Sequence, residues 1–243
     1  MTSAGFGSPH RHHRVTDSTN DRARELAEAG APVGTVVTAA EQSEGRGRRG
    51  RSWTAPPGAA LLYSAILRPL DRGDALLPLA VPLAVCDAIE GVAQVECRVK
   101  WPNDVWIAER KVAGVLIEAR PPEWAVIGVG INVSVADEQF PADLRWPATS
   151  VGHGVTTDAM REALNAALSE WVESEATRVL SEFARRDALR DRAVAWEGAG
   201  EPDDGEGTAE GIDELGNLVV VTAQGSRLAL GAGEVSLRPP PEA

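Results

Sequence analysis

The alternation of apolar and polar positions divides the chain into two textures. Asp21 to Ala29 is rich in Ala, Glu, Arg and Leu, follows Ser18-Thr19-Asn20 and stops at Gly30, which predicts a capped helix with a glycine stop. Val33 to Thr38 and Leu61 to Leu67 read as strands, and Ala75 to Ile89 as a buried helix despite Pro78 and Pro82. Three strand-like runs follow in close succession, Val95 to Trp101, Lys111 to Ala119 and Ala125 to Val133. Strands without intervening helices predict a mixed or antiparallel sheet, not a doubly wound one. Thr157 to Arg190 is helical, with Leu164, Leu168, Trp171 and Val172 on one apolar face. After about Arg192 the pattern changes to five short strands with Gly-rich turns: Val194 to Trp196, Gly207 to Ile212, Leu218 to Thr222, Arg227 to Leu230 and Glu234 to Leu237. The expectation is an α+β chain: a solvated tail over 1–14, a main unit over 15–191, and a small all-β barrel over 192–243.

Composition narrows this picture. At 243 residues and 43% hydrophobic, the chain has material for one medium core and a small one. No apolar run reaches the eighteen or so residues of a membrane span. Met1 to Arg14 has no apolar stretch, and His10, His12 and His13 there fit a solvated tail better than a metal site. Cys86 and Cys97 form no CxxC pair, so zinc and disulfide scaffolds are disfavoured and a reducing cytoplasm fits. The net charge of −12 argues against a general nucleic-acid binder. The charge is uneven: Gly45 to Arg51 holds four arginines, whereas Glu197 to Glu214 holds only acids among its charged residues and reads as a solvated loop. There are 22 arginines but two lysines, Lys100 and Lys111, in one short stretch. A site that needs a compact point charge rather than a planar fork would explain a lysine there.

Candidate chemistry begins in Glu41 to Gly58, an aperiodic loop of a length that is often functional. Gly45-Arg46-Gly47-Arg48-Arg49-Gly50 matches G-x-G-x-x-G, yet Ser52-Trp53-Thr54-Ala55-Pro56-Pro57 follows and cannot open a helix, so this is no Rossmann turn. The loop offers glycines for close approach and guanidinium forks for phosphate or carboxylate. A solvated basic loop or a nucleic-acid patch is the competing reading. Four arginines without an apolar anchor predict a loop that is mobile until an anion pins it. Gly114, Gly128 and Gly130 inside strand runs suggest a ligand or another backbone passing close.

Adding Lys100-Trp101-Pro102-Asn103-Asp104, Lys111-Val112-Ala113-Gly114 and Gly128-Val129-Gly130-Ile131-Asn132, the chain resembles the biotin protein ligase family along its length. Gly211-Ile212-Asp213 and Gly233-Glu234-Val235-Ser236-Leu237-Arg238 resemble that family's SH3-like domain. The resemblance implies a catalytic domain of the biotin/lipoate ligase type, class II synthetase-like, before a small SH3-like barrel. It implies ATP and biotin as substrates, Mg²⁺ as the accompanying ion, no metal site of the protein's own, and a biotin carboxyl carrier domain as acceptor. Ser18, Thr19 and Asn20 would be the first substrate contacts, and Ser18, Thr19 and Gln42 would meet the ureido end of biotin, although Ser18 equally suits a helix cap. Gly45, Arg46, Gly47, Arg48, Lys111, Gly114 and Gly130 would bind biotin and its adenylate. Lys100, Trp101, Asn103 and Asn132 would line the nucleotide side. Catalytic roles would fall on Lys111, between the biotin carboxylate and the α-phosphate, on Arg48 at the phosphate, and on Asp104, either as acceptor of the target lysine's proton or as a structural hydrogen-bonding group. Trp53 could stack on a ligand or merely pack.

Some members of the family carry an N-terminal helix-turn-helix. Fewer than twenty residues precede Ser18, too few for that module, so no DNA partner is expected. No membrane partner is expected either, and a homodimer is left open. Lipoate ligation on a related fold is the nearest alternative, and a basic-loop RNA-binding protein the alternative from another class. The Gly-Arg-Gly-Arg-Arg-Gly and Lys-Trp-Pro-Asn-Asp pair favours biotin over lipoate. The −12 balance and the absence of aromatic RNP-like runs weigh against RNA.

Overall fold

The computed structural model describes residues 5–70, 75–142, 144, 146–197, 204–231 and 234–237. Residues 1–4 of the expected tail, 198–203 of the acidic stretch, and Gly233 and Arg238 of the closing motif lie outside the described residues.

Seven strands form one mixed sheet: β1 (His10–His13), β2 (Val36–Ala39), β3 (Ala60–Leu67), β4 (Cys97–Lys100), β5 (Asp104–Ile107), β6 (Arg110–Arg120) and β7 (Trp124–Asn132). Their order is β1-β2-β3-β7-β6-β5-β4, with β1 parallel to β2 and every other pair antiparallel. The helices are α1 (Thr19–Glu28), α2 (Leu77–Val92), α3 (Thr157–Trp171) and α4 (Ala176–Arg186). Period-two alternation gives each face of the sheet its own partner. Tyr63, Ala65, Val115, Ile127, Val129 and Ile131 pack into the main core with α2 and α3. Ile66 and Val126, from the other face, pack with Ala23 and Ala27 of α1. Along that second face, toward the middle of the sheet, the side chains shrink to Ser64, Gly114, Gly128 and Gly130, leaving a trough.

The other five strands are β8 (Ala193–Glu197), β9 (Gly205–Ile212), β10 (Leu218–Val221), β11 (Arg227–Leu230) and β12 (Glu234–Leu237). They form an antiparallel sheet in the order β11-β10-β9-β8-β12, consistent with the SH3-like unit expected at the C-terminus. This sheet shares the main core through Val194, Trp196, Ala209, Leu218 and Val235.

Four details depart from the sequence reading. Residues 5–14 are not a solvated tail: Phe6 is buried, its N–H donates to Ser169 Oγ at 3.0 Å, and β1 pairs with the otherwise open edge of β2. Backbone groups on that edge need partners, and His10 and His12 add side-chain bonds to Thr38 Oγ1 at 2.8 and 2.9 Å. The long C-terminal helix breaks between Trp171 and Ala176, where α4 caps on Glu175. β5 is an additional strand, formed directly after the Lys-Trp-Pro-Asn turn. Trp101 is core, 2% exposed, and its indole N–H donates to Gly216 O of the C-terminal sheet at 3.1 Å, so it joins the two sheets rather than lining a nucleotide. Among the described residues no helix is long and apolar enough to cross a membrane.

Candidate active site

A cavity of about 230 Å³ lies over the trough, between the start of α1, the 45–54 loop and a wall that includes Phe140, Pro141, Trp146 and Ala148. Ser18, Thr19, Asn20, Gln42, Arg46, Gly47, Arg48, Asn103, Asp104, Lys111, Gly114, Gly130 and Asn132 all line it. Residues from five separate stretches of sequence therefore converge as expected. Gly45, Lys100 and Trp101 do not line it.

One end of the cavity is a hydrogen-bond cluster built on the buried Thr19, Asn20 and Ser64 and the half-buried Gln42 and Glu118. Gln42 Oε1 accepts the Thr19 backbone N–H at 2.7 Å and the Thr19 hydroxyl at 2.9 Å. Ser64 Oγ lies 2.6 Å from Asn20 Oδ1 and 2.8 Å from Thr19 Oγ1. Asn20 Nδ2 donates to Glu118 Oε2 at 2.7 Å. Ser18 occupies the N-cap position of α1, but its side chain makes no capping bond, and it is 2% exposed against the cavity. The capping alternative for its hydroxyl is thus not what the structure adopts. Gly128 is required here, because a Cβ on it would overlap the Asn20 amide. Gly45 acts indirectly: a Cβ there would overlap the Trp53 backbone carbonyl, against which the loop closes, and would sit 2.7 Å from Gln42 Nε2.

The other end is charged. Lys111 Nζ meets Asp104 Oδ1 at 2.6 Å, with side chains 26% and 11% exposed. A β-bulge aims that lysine. Val105 pairs with Ala113 but Trp106 pairs with Lys111, so Val112 is an extra residue in β6. Strict alternation would put Lys111 on the core face with Ala113; the bulge turns it to the trough beside Gly114. Asp104 stands opposite Gly114 in β5, which gives the lysine its partner. Asn103 fixes the preceding turn by donating to Val115 O at 2.9 Å.

The arginine loop is anchored, contrary to the expectation that it lacks an apolar hold. Trp53 lays its indole over the opposed pair Gly114 and Gly130, where a Cβ on Gly130 would lie 2.5 Å from the ring. The strand glycines therefore make room for the Trp53 and Asn20 side chains. Trp53 Nε1 is buried with no hydrogen-bond partner among the described residues. Arg46 pairs with Asp21 at 2.7 Å and Glu118 at 3.3 Å, Arg48 reaches Asn103 Oδ1 at 3.5 Å, and Arg49 donates to Glu197 O at 3.3 Å.

Lys100 is 4% exposed. Its ammonium lies 5.4 Å from the Trp146 ring centroid and 5.9 Å from that of Trp106, and it lines a smaller adjoining cavity together with Arg48, Arg49, Arg51, Asn103 and Asp104. Sequence reasoning missed Ser64, Glu118, Phe140 and Trp146. A single serine inside the apolar run 61–67 was a usable signal for the first. Residues 146–149 are placed by backbone bonds to β6, Lys111 N to Pro147 O at 2.8 Å and Thr149 N to Lys111 O at 2.9 Å, which leave no periodic trace. No cluster of three or more His, Cys, Asp or Glu side chains that could hold a metal occurs among the described residues.

Comparison with known proteins fits this arrangement. A family model described as Biotin/lipoate A/B protein ligase family matches residues 13–132, and one described as Biotin protein ligase C terminal domain matches residues 201–238. A bifunctional ligase/repressor of Bacillus subtilis is 40% identical over 147 residues, spanning 58% of this chain and 45% of that protein. The match thus covers less than half the length of that relative. A biotin--[acetyl-CoA-carboxylase] ligase of Paracoccus denitrificans is 34% identical over 241 residues, covering 90% of this chain and 97% of that protein. The solved biotin protein ligase from Aquifex aeolicus in complex with biotin and ATP aligns with a TM-score of 0.81 at 28% identity, covering 96% of this chain and 99% of that one. With a polar pocket end, a glycine trough and a lysine–arginine end in one cavity, and a relative matched nearly end to end, the chain belongs to the biotin protein ligase family.

Proposed function

We propose that the chain activates biotin with ATP to biotinyl-adenylate and passes the biotin to one lysine of a carboxylase's biotin carboxyl carrier domain. The catalytic unit takes in the N-terminal strand β1 and runs on to residue 191, and 192–243 form the C-terminal unit. The observation that carries this reading is the polarity of the cavity: the buried Thr19 and Asn20 with the half-buried Gln42 as hydrogen-bonding groups, then glycines, then Lys111 and the arginine loop. Biotin has the same polarity, with a ureido group, an apolar bicycle and a carboxylate tail.

Carboxylate attack on the α-phosphate brings two anions together, so the barrier is largely electrostatic and the protein supplies position and charge. Asp104 holds Lys111 so that its ammonium bridges the biotin carboxylate and the α-phosphate. Arg48 and Arg46 close on the phosphates, and Arg46 exchanges Asp21 and Glu118 for the nucleotide. The new C–O–P bond forms as pyrophosphate leaves the α-phosphate, and Mg²⁺ brought with the nucleotide would supply charge neutralisation for that leaving group. The chain's oxygen donors at the cavity, Asp104, Asn103 and Asn132, suit an ion carried mainly by phosphates and water. In the transfer step the amine of the carrier lysine attacks the mixed anhydride, AMP leaves, and Asp104 accepts the proton. Two buried free cysteines and the −12 charge suit a protein acceptor in a reducing cytoplasm, without a DNA or membrane partner. Calorimetric titration with biotin and then lipoate, with and without ATP, tests the reading: biotin should bind alone and lipoate should not. Binding of lipoate in preference to biotin would overturn it.

A further inference from the structure

An acyl-adenylate is an electrophile that its own enzyme must hold until the acceptor arrives. Any amine, thiolate or phenolate of the enzyme within reach competes with that acceptor. The chain has two lysines, two cysteines and one tyrosine, against 22 arginines. All five of these nucleophiles are withdrawn. Lys100 is 4% exposed and faces two indoles. Lys111 lies at the reacting centre, but its nitrogen is 2.6 Å from Asp104 Oδ1, and an ammonium held by a carboxylate has no lone pair to attack with. Cys86 and Cys97 are both fully buried, and burial pushes the Cys86 thiol up, away from thiolate. Tyr63 borders the cavity, yet its hydroxyl points away to donate to Asn165 Oδ1 at 2.9 Å, and burial raises it far above the usual phenol range. The Thr19 hydroxyl is committed to Gln42.

The cations at the cavity mouth are instead Arg46, Arg48 and Arg51. A guanidinium stays protonated with its charge delocalised, so it grips an anion as lysine would but cannot be acylated at neutral pH. Resting on the function proposed above, we infer that the chain is self-protected: it presents no ε-amine of its own to biotinyl-adenylate, and arginine at the mouth is a specificity device as well as an anion grip. The reaction avoided is explicit. A neutral amine attacks the carbonyl carbon, a C–N bond forms, the C–O bond to phosphate breaks, AMP leaves with the electron pair, and the nitrogen sheds a proton to water. Lysine at position 51, exposed at the mouth, could follow that course; arginine cannot.

The test uses the full chain and synthetic biotinyl-adenylate as the acyl donor, so it does not depend on the chain's making that compound. Pyrophosphate release from biotin and MgATP, measured separately, reports on the proposed function alone. Peptide mass mapping should find no biotin on Lys100 or Lys111 of the natural chain, and one biotin at position 51 of Arg51→Lys. Biotin on Lys100 or Lys111 in the natural chain, or an unmodified position 51 in the variant, would overturn self-protection.

Discussion

Replacing Lys111 by arginine keeps the charge and changes its shape, which separates two explanations of that lysine. Its nitrogen sits 2.6 Å from Asp104 Oδ1 and 5.6 Å from the centre of the Trp53 ring, and it would lie 3.3 Å from a Cβ on Gly114. The space between the indole and the β6 backbone thus suits a single nitrogen. A guanidinium is longer and three nitrogens wide, so it must displace Trp53 or overrun the position of the α-phosphate. Losing one preorganised contact made mainly in the transition state costs about 2.7–4 kcal/mol, which is roughly a hundredfold to a thousandfold in rate. Lys111→Arg should therefore adenylate biotin about a hundredfold more slowly. Stability should change little, because a partly exposed pair contributes about 0–1 kcal/mol and arginine can still meet Asp104. Lys111→Ala should lose a similar rate but melt lower, since it leaves the Asp104 carboxylate, 11% exposed, without its partner. Pyrophosphate release and thermal melting measured on both variants check this. A well-folded Lys111→Arg chain that adenylates at the natural rate would refute the reasoning and move the catalytic charge to Arg46 or Arg48.

Three further outcomes follow from the geometry. Arg48→Ala removes a guanidinium from the cavity, so adenylate should escape and acylate bystander amines at random; mass spectrometry of an added bystander protein reads this, and a single modified site would contradict it. Gly128→Ala forces a Cβ into the Asn20 amide, so biotin affinity should fall about tenfold or more and stability by about 1–3 kcal/mol, measured by calorimetry and melting. Asp187, buried between β4 and the C-terminal sheet, is pushed up from 3.8 to about 6 by burial, against the pull of the Leu189 N–H and Arg190. A carboxyl raised in the folded state binds its proton more tightly there, so folding loses stability as pH rises from about 4 to about 6 and remains weaker above. Asp187→Asn should accordingly melt higher than the natural chain at pH 7, by an amount on the order of 3 kcal/mol that vanishes near pH 4. Equal melting of the two at pH 7 would show that the natural carboxylate is satisfied.

Most of the site was readable before any coordinates because its chemistry is local. Ser18 to Asn20, Gln42, the arginine loop, Asn103-Asp104, Lys111 and the glycines of β6 and β7 each stand out by residue type within a short stretch, and they do converge. What was not readable depends on long-range geometry. The bulge that turns Lys111 out of the core needs the β5 register, and β5 is four residues hidden behind a turn. Trp101 sits in a motif rich in functional residues, and only the packing of the C-terminal sheet shows that it is a joint. Trp53 and Trp146 carry no spacing that separates a wall from a core residue. The polar composition of the N-terminal stretch reads as solvation, while a single phenylalanine and an open strand edge suffice to order it.

The proposed activity makes biotinyl-adenylate in this cavity and passes its biotinyl group to one lysine, with release of AMP. Purified chain, biotin and MgATP should release pyrophosphate, and on addition of a biotin carboxyl carrier domain should place a single biotin on one carrier lysine, as read by intact mass and peptide mapping. Consumption of lipoate with biotin left untouched, or no pyrophosphate with either acid, would contradict it.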